Sequence, residues 1–373
     1  MGSIRARRRA TTTGTGALEY EARWRDSERK QRSRSFKRKV DAERFLRQIE
    51  GDLARGAYVD PAGARTLFAE YAAQWQAGQV HRERTQLLVD SHLRNHVLPA
   101  FGQRRIGEVR PSEVQSWVRK LSTTLAPATV RTVYAFARAI FRAAVEDLLI
   151  AHSPCRAKLP TVAATEVIPV TPDQLVLLVA ATGPRYRALV VTGAGSGLRP
   201  GELRGLTVDR VDFLRRTIRV DRQLSEPGNA QLFAPLKTAD SARTVPVTGL
   251  VTDTISEHLA RFGASPDGLV FSSPTGAPLR RNRLAGVIVK ARTACDLPEV
   301  TAHDLRHFYA SMLIAAGQSV KVVQKRLGHS SAVETLDTYG HLWPDSEDDT
   351  RAAVDAVLTV SAVGRLWDER VSS

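Results

Sequence analysis

The sequence predicts an α+β chain, predominantly α, and three observations carry that expectation. Apolar residues at helical spacing dominate residues 66–160 and most of the chain beyond 165. One cluster of alternating apolar and polar residues, between 208 and 247, interrupts those helices as half-buried strands do. The first sixty residues join short strand-like stretches to one amphipathic helix, in a strongly basic context. Three domains are expected from this organisation, over residues 1–60, 66–160 and 165–373.

In the first part, Leu18 to Trp24 alternates in strand fashion and Ser33 to Lys39 suits a second, basic strand. Val40 to Leu53 reads as an amphipathic helix with Phe45, Leu46, Ile49 and Leu53 on one face. About 16 Lys and Arg face about nine Asp and Glu here, so roughly half of the net charge lies in a sixth of the chain. Gly56 to Arg65, with Pro61 and Gly63, reads as a linker.

Helices are then expected over Leu67 to Gln76, Thr85 to Val97, Ser112 to Leu121 and Thr129 to Leu149. Pro111 and Pro127 sit where a helix begins and a missing N–H costs little. Arg131, Arg138 and Arg142 share a face of the last helix, suited either to phosphate or to solvent. Ala157 to Pro172 reads as a second linker, after which Pro172-Asp173-Gln174 opens a helix. Strands are expected over Val208 to Phe213, Thr217 to Leu224, Gln231 to Leu236 and Thr244 to Val247, with helices from there on. An acidic break from Asp345 to Asp349 precedes a last amphipathic stretch, Ala352 to Leu358.

An apolar share of 43% with 25% charged residues excludes a disordered chain. A net charge of +15 points to a polyanionic partner, most simply nucleic acid. Cys155 and Cys295 lie far apart and suit a reducing compartment. No run approaches the roughly 18 apolar residues of a membrane span, and the Arg-rich start lacks a secretion signal's apolar stretch, so a cytoplasmic protein is expected.

Four short segments and one lysine carry the chemistry. They are Gly197-Leu198-Arg199-Pro200-Gly201-Glu202, His303-Asp304-Leu305-Arg306-His307, Leu327-Gly328-His329-Ser330 and Asp337-Thr338-Tyr339-Gly340-His341, with Lys237 just after a strand. A phenol titrates near 10 and is a poor nucleophile at neutral pH. Nearby cations must favour its phenolate, and donors must hold the charge that develops on a phosphate. Arginine offers a fork of donors that binds two phosphate oxygens and keeps its proton. His303 and Arg306 are three apart, so a helix puts them on one face. Two competing motifs fail. Gly193-Ala194-Gly195 has Leu198 at the third glycine position of a dinucleotide fingerprint, and His92 and His96 lack a third metal ligand.

In that order and spacing, these segments resemble the catalytic signature of the tyrosine recombinase (phage integrase) family. The resemblance implies an arm-type DNA-binding domain at the N-terminus, where Lys37, Arg38 and Lys39 are candidate contacts. It implies next a helical-bundle core-binding domain, and a mainly α catalytic domain with a small antiparallel β-sheet. By that resemblance Arg199 and Arg306 clamp a scissile phosphate, His303 and His329 hydrogen-bond it, and one of them accepts the tyrosine proton. Lys237 protonates the departing 5′ oxygen, Tyr339 forms a 3′-phosphotyrosyl link, and Glu202 braces Arg199. His307, four residues after His303, is a supporting residue of structural character, and His341 reads as structural too. No metal or cofactor is implied. The implied partners are double-stranded attachment sites, a homo-tetramer at synapsis, a directionality factor and a DNA-bending host protein. The C-terminal helix docks either on a neighbouring protomer or on its own domain. His329 and Tyr339 stand ten residues apart, one more than in many members, so the Ser330 to Val333 turn must absorb a residue. A resolvase of the same family and a non-catalytic DNA-binding protein on the same fold are the alternatives.

Overall fold

Apolar periodicity is realised as three separate hydrophobic cores, in two compact units spanning residues 1–163 and 164–373. The computed structural model describes residues 2–8, 18–26, 29–55, 58–59, 63–163, 166–226, 232–236, 241–297, 299–343 and 347–360.

The first unit opens with an antiparallel sheet of β1 (Ser3–Arg8), β2 (Leu18–Arg25) and β3 (Gln31–Phe36), followed by α1 (Lys39–Ala54). Alternation along β2 sends Tyr20, Ala22 and Trp24 toward Ala42, Leu46 and Ile49 of α1. Trp24 also donates its indole N–H to the Tyr58 hydroxyl at 3.0 Å. Pairing sets Arg5 opposite Glu21 and Arg7 opposite Glu19, so Arg5, Arg7, Arg23 and Arg25 share the face turned away from α1. Two expectations need correction here. β1 was not anticipated, because three arginines mask its alternation, and the second strand ends at Phe36, since the chain turns at Lys37 and Arg38 into α1. Lys37, Arg38 and Lys39 are therefore exposed on that turn and helix start, off the sheet.

The second core lies among α2 (Phe68–Ala77), α3 (Glu83–His92), α4 (Leu98–Phe101), α5 (Pro111–Leu121) and α6 (Pro127–Glu146). A π-helical stretch, Leu93–Val97, joins α3 to α4, so the expected single helix carries a widened turn. Phe68, Phe101, Trp117 and Phe141 pack ring against ring at its centre. Arg131, Arg138 and Arg142 are exposed on α6, with Arg142 paired to Glu146.

In the second unit come α7 (Pro172–Ala181), α8 (Pro184–Ser196) and α9 (Pro200–Arg204), then β4 (Val211–Asp212), β5 (Thr217–Val220), β6 (Arg222–Ser225), β7 (Leu232–Pro235) and β8 (Arg243–Pro246). After the strands follow α10 (Gly249–Phe262), α11 (Arg281–Ala294), α12 (Asp304–Ala315), α13 (Val320–Leu327), α14 (Ala332–Tyr339) and α15 (Glu347–Val360). The strands form two antiparallel sheets, β4-β5-β8 and β6-β7. The expected strand Thr217 to Leu224 is thus two, broken at Asp221: Val220 pairs with Arg243, whereas Arg222 pairs with Pro235. Val208 to Arg210 is a 3-10 turn, leaving only Val211 and Asp212 of that expected strand in the ladder. Among the described residues no helix is long and apolar enough to cross a membrane.

Candidate active site

The site grows from three helix ends that meet in the second unit. α8 stops at Gly197, whose φ of +63° suits glycine. A Cβ there would lie 2.4 Å from the Tyr309 ring, so no side chain fits. This turn buries Leu198 and sets Arg199 at the N-cap of α9. The Glu202 carboxylate accepts the Arg199 backbone N–H at 2.8 Å and one edge of its guanidinium at 3.2 Å. The other edge of Arg199 donates to the Gly328 carbonyl at 3.0 Å.

α12 supplies the second arginine. Asp304 accepts from the Thr301 N–H and hydroxyl, pinning the start of the helix, with His303 at its N-cap. Arg306 is 1% exposed and donates to the Gly197 carbonyl at 2.8 Å. Its other terminal nitrogen is buried and finds no hydrogen-bond partner among the described residues. One turn after His303, the His307 ring meets the His303 ring edge-on, with centroids 4.7 Å apart.

α13 ends at Gly328 with φ +66°, and α14 starts at Ala332 behind Ser331, whose hydroxyl accepts from the Glu334 N–H. Only Ser330 and Ser331 lie between His329 and the helix that carries Tyr339. His329 is fixed through Nδ1 by the Thr335 hydroxyl at 2.9 Å, and its ring lies parallel to that of Tyr339. Tyr339, last residue of α14, is 1% exposed, and its hydroxyl lies 2.8 Å from His307 Nδ1.

Burial dominates the electrostatics. It pushes the Tyr339 phenol up to about 12, against the pull of the Arg306 and Arg199 cations. Burial, then the neighbouring His303, brings His307 down to about 4; burial, then Arg306 and Arg199, brings His329 to about 3. Burial and the Arg199 cation lower Arg306 to about 9, still charged at neutral pH. Both imidazoles are therefore neutral at pH 7 and can each offer one donor and one acceptor.

Arg199, Glu202, His303, Arg306, His307, His329 and Tyr339 thus meet through direct contacts or through the carbonyls of Gly197 and Gly328. Lys237 lies outside the described residues. His341 bonds the Val167 carbonyl instead, and Arg131, Arg138, Arg142, Lys37, Arg38 and Lys39 belong to the other unit. Sequence reasoning missed Arg243 at the start of β8, which binds Glu202 through two nitrogens. It also gave His307 a structural character, although His307 is the residue bonded to the Tyr339 hydroxyl. Its i+4 spacing from His303 was the available signal. Among the described residues no group of three or more His, Cys, Asp or Glu could hold a metal; the His92 ring lies tilted against those of His96 and Phe136.

The profile of the phage integrase family matches residues 169–345, and that of the phage integrase central domain matches residues 64–158. The chain belongs to the phage integrase family. It is 27% identical over 312 residues to the integrase of Mycobacterium phage D29, a match covering 80% of this chain and 83% of the phage protein. Among solved structures it is similar to the Tn1549 transposon integrase in complex with a circular intermediate DNA, with a TM-score of 0.69 and 23% identity, covering 78% of this chain and 99% of that one. It is also similar to the lambda integrase tetramer bound to a Holliday junction, with a TM-score of 0.57 and 16% identity, covering 84% and 94%. These two structural likenesses concern the integrase fold.

Proposed function

We propose that this integrase-family chain is a site-specific recombinase that cuts and rejoins DNA through a 3′-phosphotyrosine on Tyr339. The observation that carries this reading is the 2.8 Å contact of the Tyr339 hydroxyl with His307, on the same helix as the buried Arg306. The phenolic oxygen attacks phosphorus, the bond to the 5′ oxygen breaks, and the phenolic proton passes first to His307 Nδ1. That assignment replaces His303 and His329 as its expected acceptors. Arg199 and the unpartnered nitrogen of Arg306 bind the phosphate oxygens, joined by His303 and by the Nε2 of His329. Lys237 is the donor to the departing 5′ oxygen on family grounds. The covalent link conserves the bond energy until a second strand attacks, so the exchange consumes no nucleotide.

The basic N-terminal sheet contacts arm-type sites, and the helical bundle grips the core site. In synapsis four copies pair two duplexes, integrating or excising a phage or mobile element, with a directionality factor and a DNA-bending host protein as partners. The reaction takes place in the cytoplasm, where Cys155 and Cys295 stay reduced. α15 docks on a neighbouring copy. In support, every described side chain of that helix is exposed, Val357 at 68%.

Incubating the full chain with genomic fragments flanking its gene tests the chemistry, with a denaturing gel as readout. A covalent protein–DNA adduct should form with the wild type and vanish in Tyr339→Phe, while DNA affinity persists. Binding by the wild type without any adduct would favour a non-catalytic DNA-binding protein and overturn the proposal.

A further inference from the structure

Glu202 is 2% exposed and receives four hydrogen bonds. Arg243 makes the two side-chain bonds with the larger claim, Nη1 to Oε1 at 3.1 Å and Nη2 to Oε2 at 2.8 Å, a bidentate ion pair sealed from solvent. Arg199 keeps only one guanidinium contact to the same carboxylate, at 3.2 Å, plus its backbone N–H. Burial works against the ionised Glu202, yet the hydrogen bonds and charge of Arg243, and then those of Arg199, hold its carboxyl below the ordinary range.

Arg243 is itself immobilised. Its Nε donates to the Arg326 carbonyl at 2.8 Å, and Nη1 also reaches the Ser241 carbonyl at 3.2 Å. Its side chain lies so close beneath Gly328 that a Cβ there would meet Cδ at 3.0 Å. One side chain thus ties the start of β8, the carboxylate of α9 and the turn before His329. Four of its five N–H donors are already engaged, one on Nε, two on Nη1 and one on Nη2.

We infer that Arg243 is a positioning residue: by occupying both oxygens of Glu202 it keeps that carboxylate from closing bidentately on Arg199, and so leaves Arg199 free to take the scissile phosphate. This inference rests on the recombinase reading. A carboxylate with no other cation would hold Arg199 as its own partner, because a buried charge without a counter-ion is strongly disfavoured. Removing Arg243 should therefore weaken cleavage through Arg199, and removing the charge of Glu202 should reverse the defect. Glutamine at 202 keeps an acceptor for the Arg199 backbone N–H while dropping the negative charge.

The test uses the duplex to which the wild-type chain becomes covalently linked, nicked so that cleavage is trapped. Single-turnover adduct formation and duplex affinity are measured for the wild type, Arg243→Met, Arg243→Lys, Glu202→Gln and Arg243→Met/Glu202→Gln. We expect Arg243→Met to slow adduct formation about 100-fold with affinity within a few-fold of wild type. The double variant should be at least about tenfold faster than Arg243→Met. If Arg243→Met does not fold, Arg243→Lys with and without Glu202→Gln carries the same comparison, since lysine keeps the charge without the fork. A slowed single variant with no recovery in the double, or unchanged cleavage without Arg243, overturns the inference. Failure of the wild type to form any adduct instead overturns the recombinase reading.

Discussion

At the residue scale, the site is a set of neutral imidazoles held beside a protonated phenol. His307 and His329 titrate at about 4 and about 3 when folded, against 6.5 ordinarily. Between those values the unfolded chain binds more protons than the folded one, so stability rises with pH there. It should be fully present above about 6.5 and decline as pH falls toward 4. Thermal melts from pH 8 to 4 should show this decline, and His307→Gln or His329→Gln should each flatten it; a slope unchanged in both would contradict the buried neutral state. Arg199, His303, Arg306, His329 and Tyr339 were legible because short motifs hold them at recognisable spacing. Arg243 was not. A chain with 54 Lys and Arg gives no single arginine a signal, and its partner Glu202 lies 41 residues away. That pairing is made by the long Arg243 side chain reaching from β8 to the carboxylate on α9, and nothing local encodes it.

At the scale of elements, helix starts were the most readable features, since Pro111, Pro127 and Pro172 each stand in a first turn. Strands were less so. Alternation continues through Asp221, but that residue pairs with Arg210 and Arg219 and marks the point where the chain leaves one sheet for another. Sequence period reports which residues face a core, not which ladder receives them. α15 carries the clearest consequence. Val354, Val357 and Leu358 are about half exposed or more, an arrangement that favours an apolar partner. Deleting residues 350–373 should abolish paired complexes on native gels while single-site complexes form as before. Loss of single-site binding as well would mean that the helix serves its own domain.

Across the whole molecule, fold class followed from composition and period, because each hydrophobic cluster among the described residues draws its apolar side chains from one continuous stretch of the chain. The geometry of the reaction centre did not, because it depends on contacts spanning more than a hundred residues, such as Arg199 to Gly328. That long-range assembly leaves an imbalance. The guanidiniums of Arg199 and Arg243 bind the carboxylate of Glu202, and the buried guanidinium of Arg306 feels the charge of all three groups. The folded protein therefore stores like-charge repulsion that any small oxyanion can relieve by mass action. Inorganic phosphate or sulfate should raise the melting temperature well beyond what chloride does at equal ionic strength. The choice of buffer would then set how stable the enzyme looks before it ever meets a chromosome.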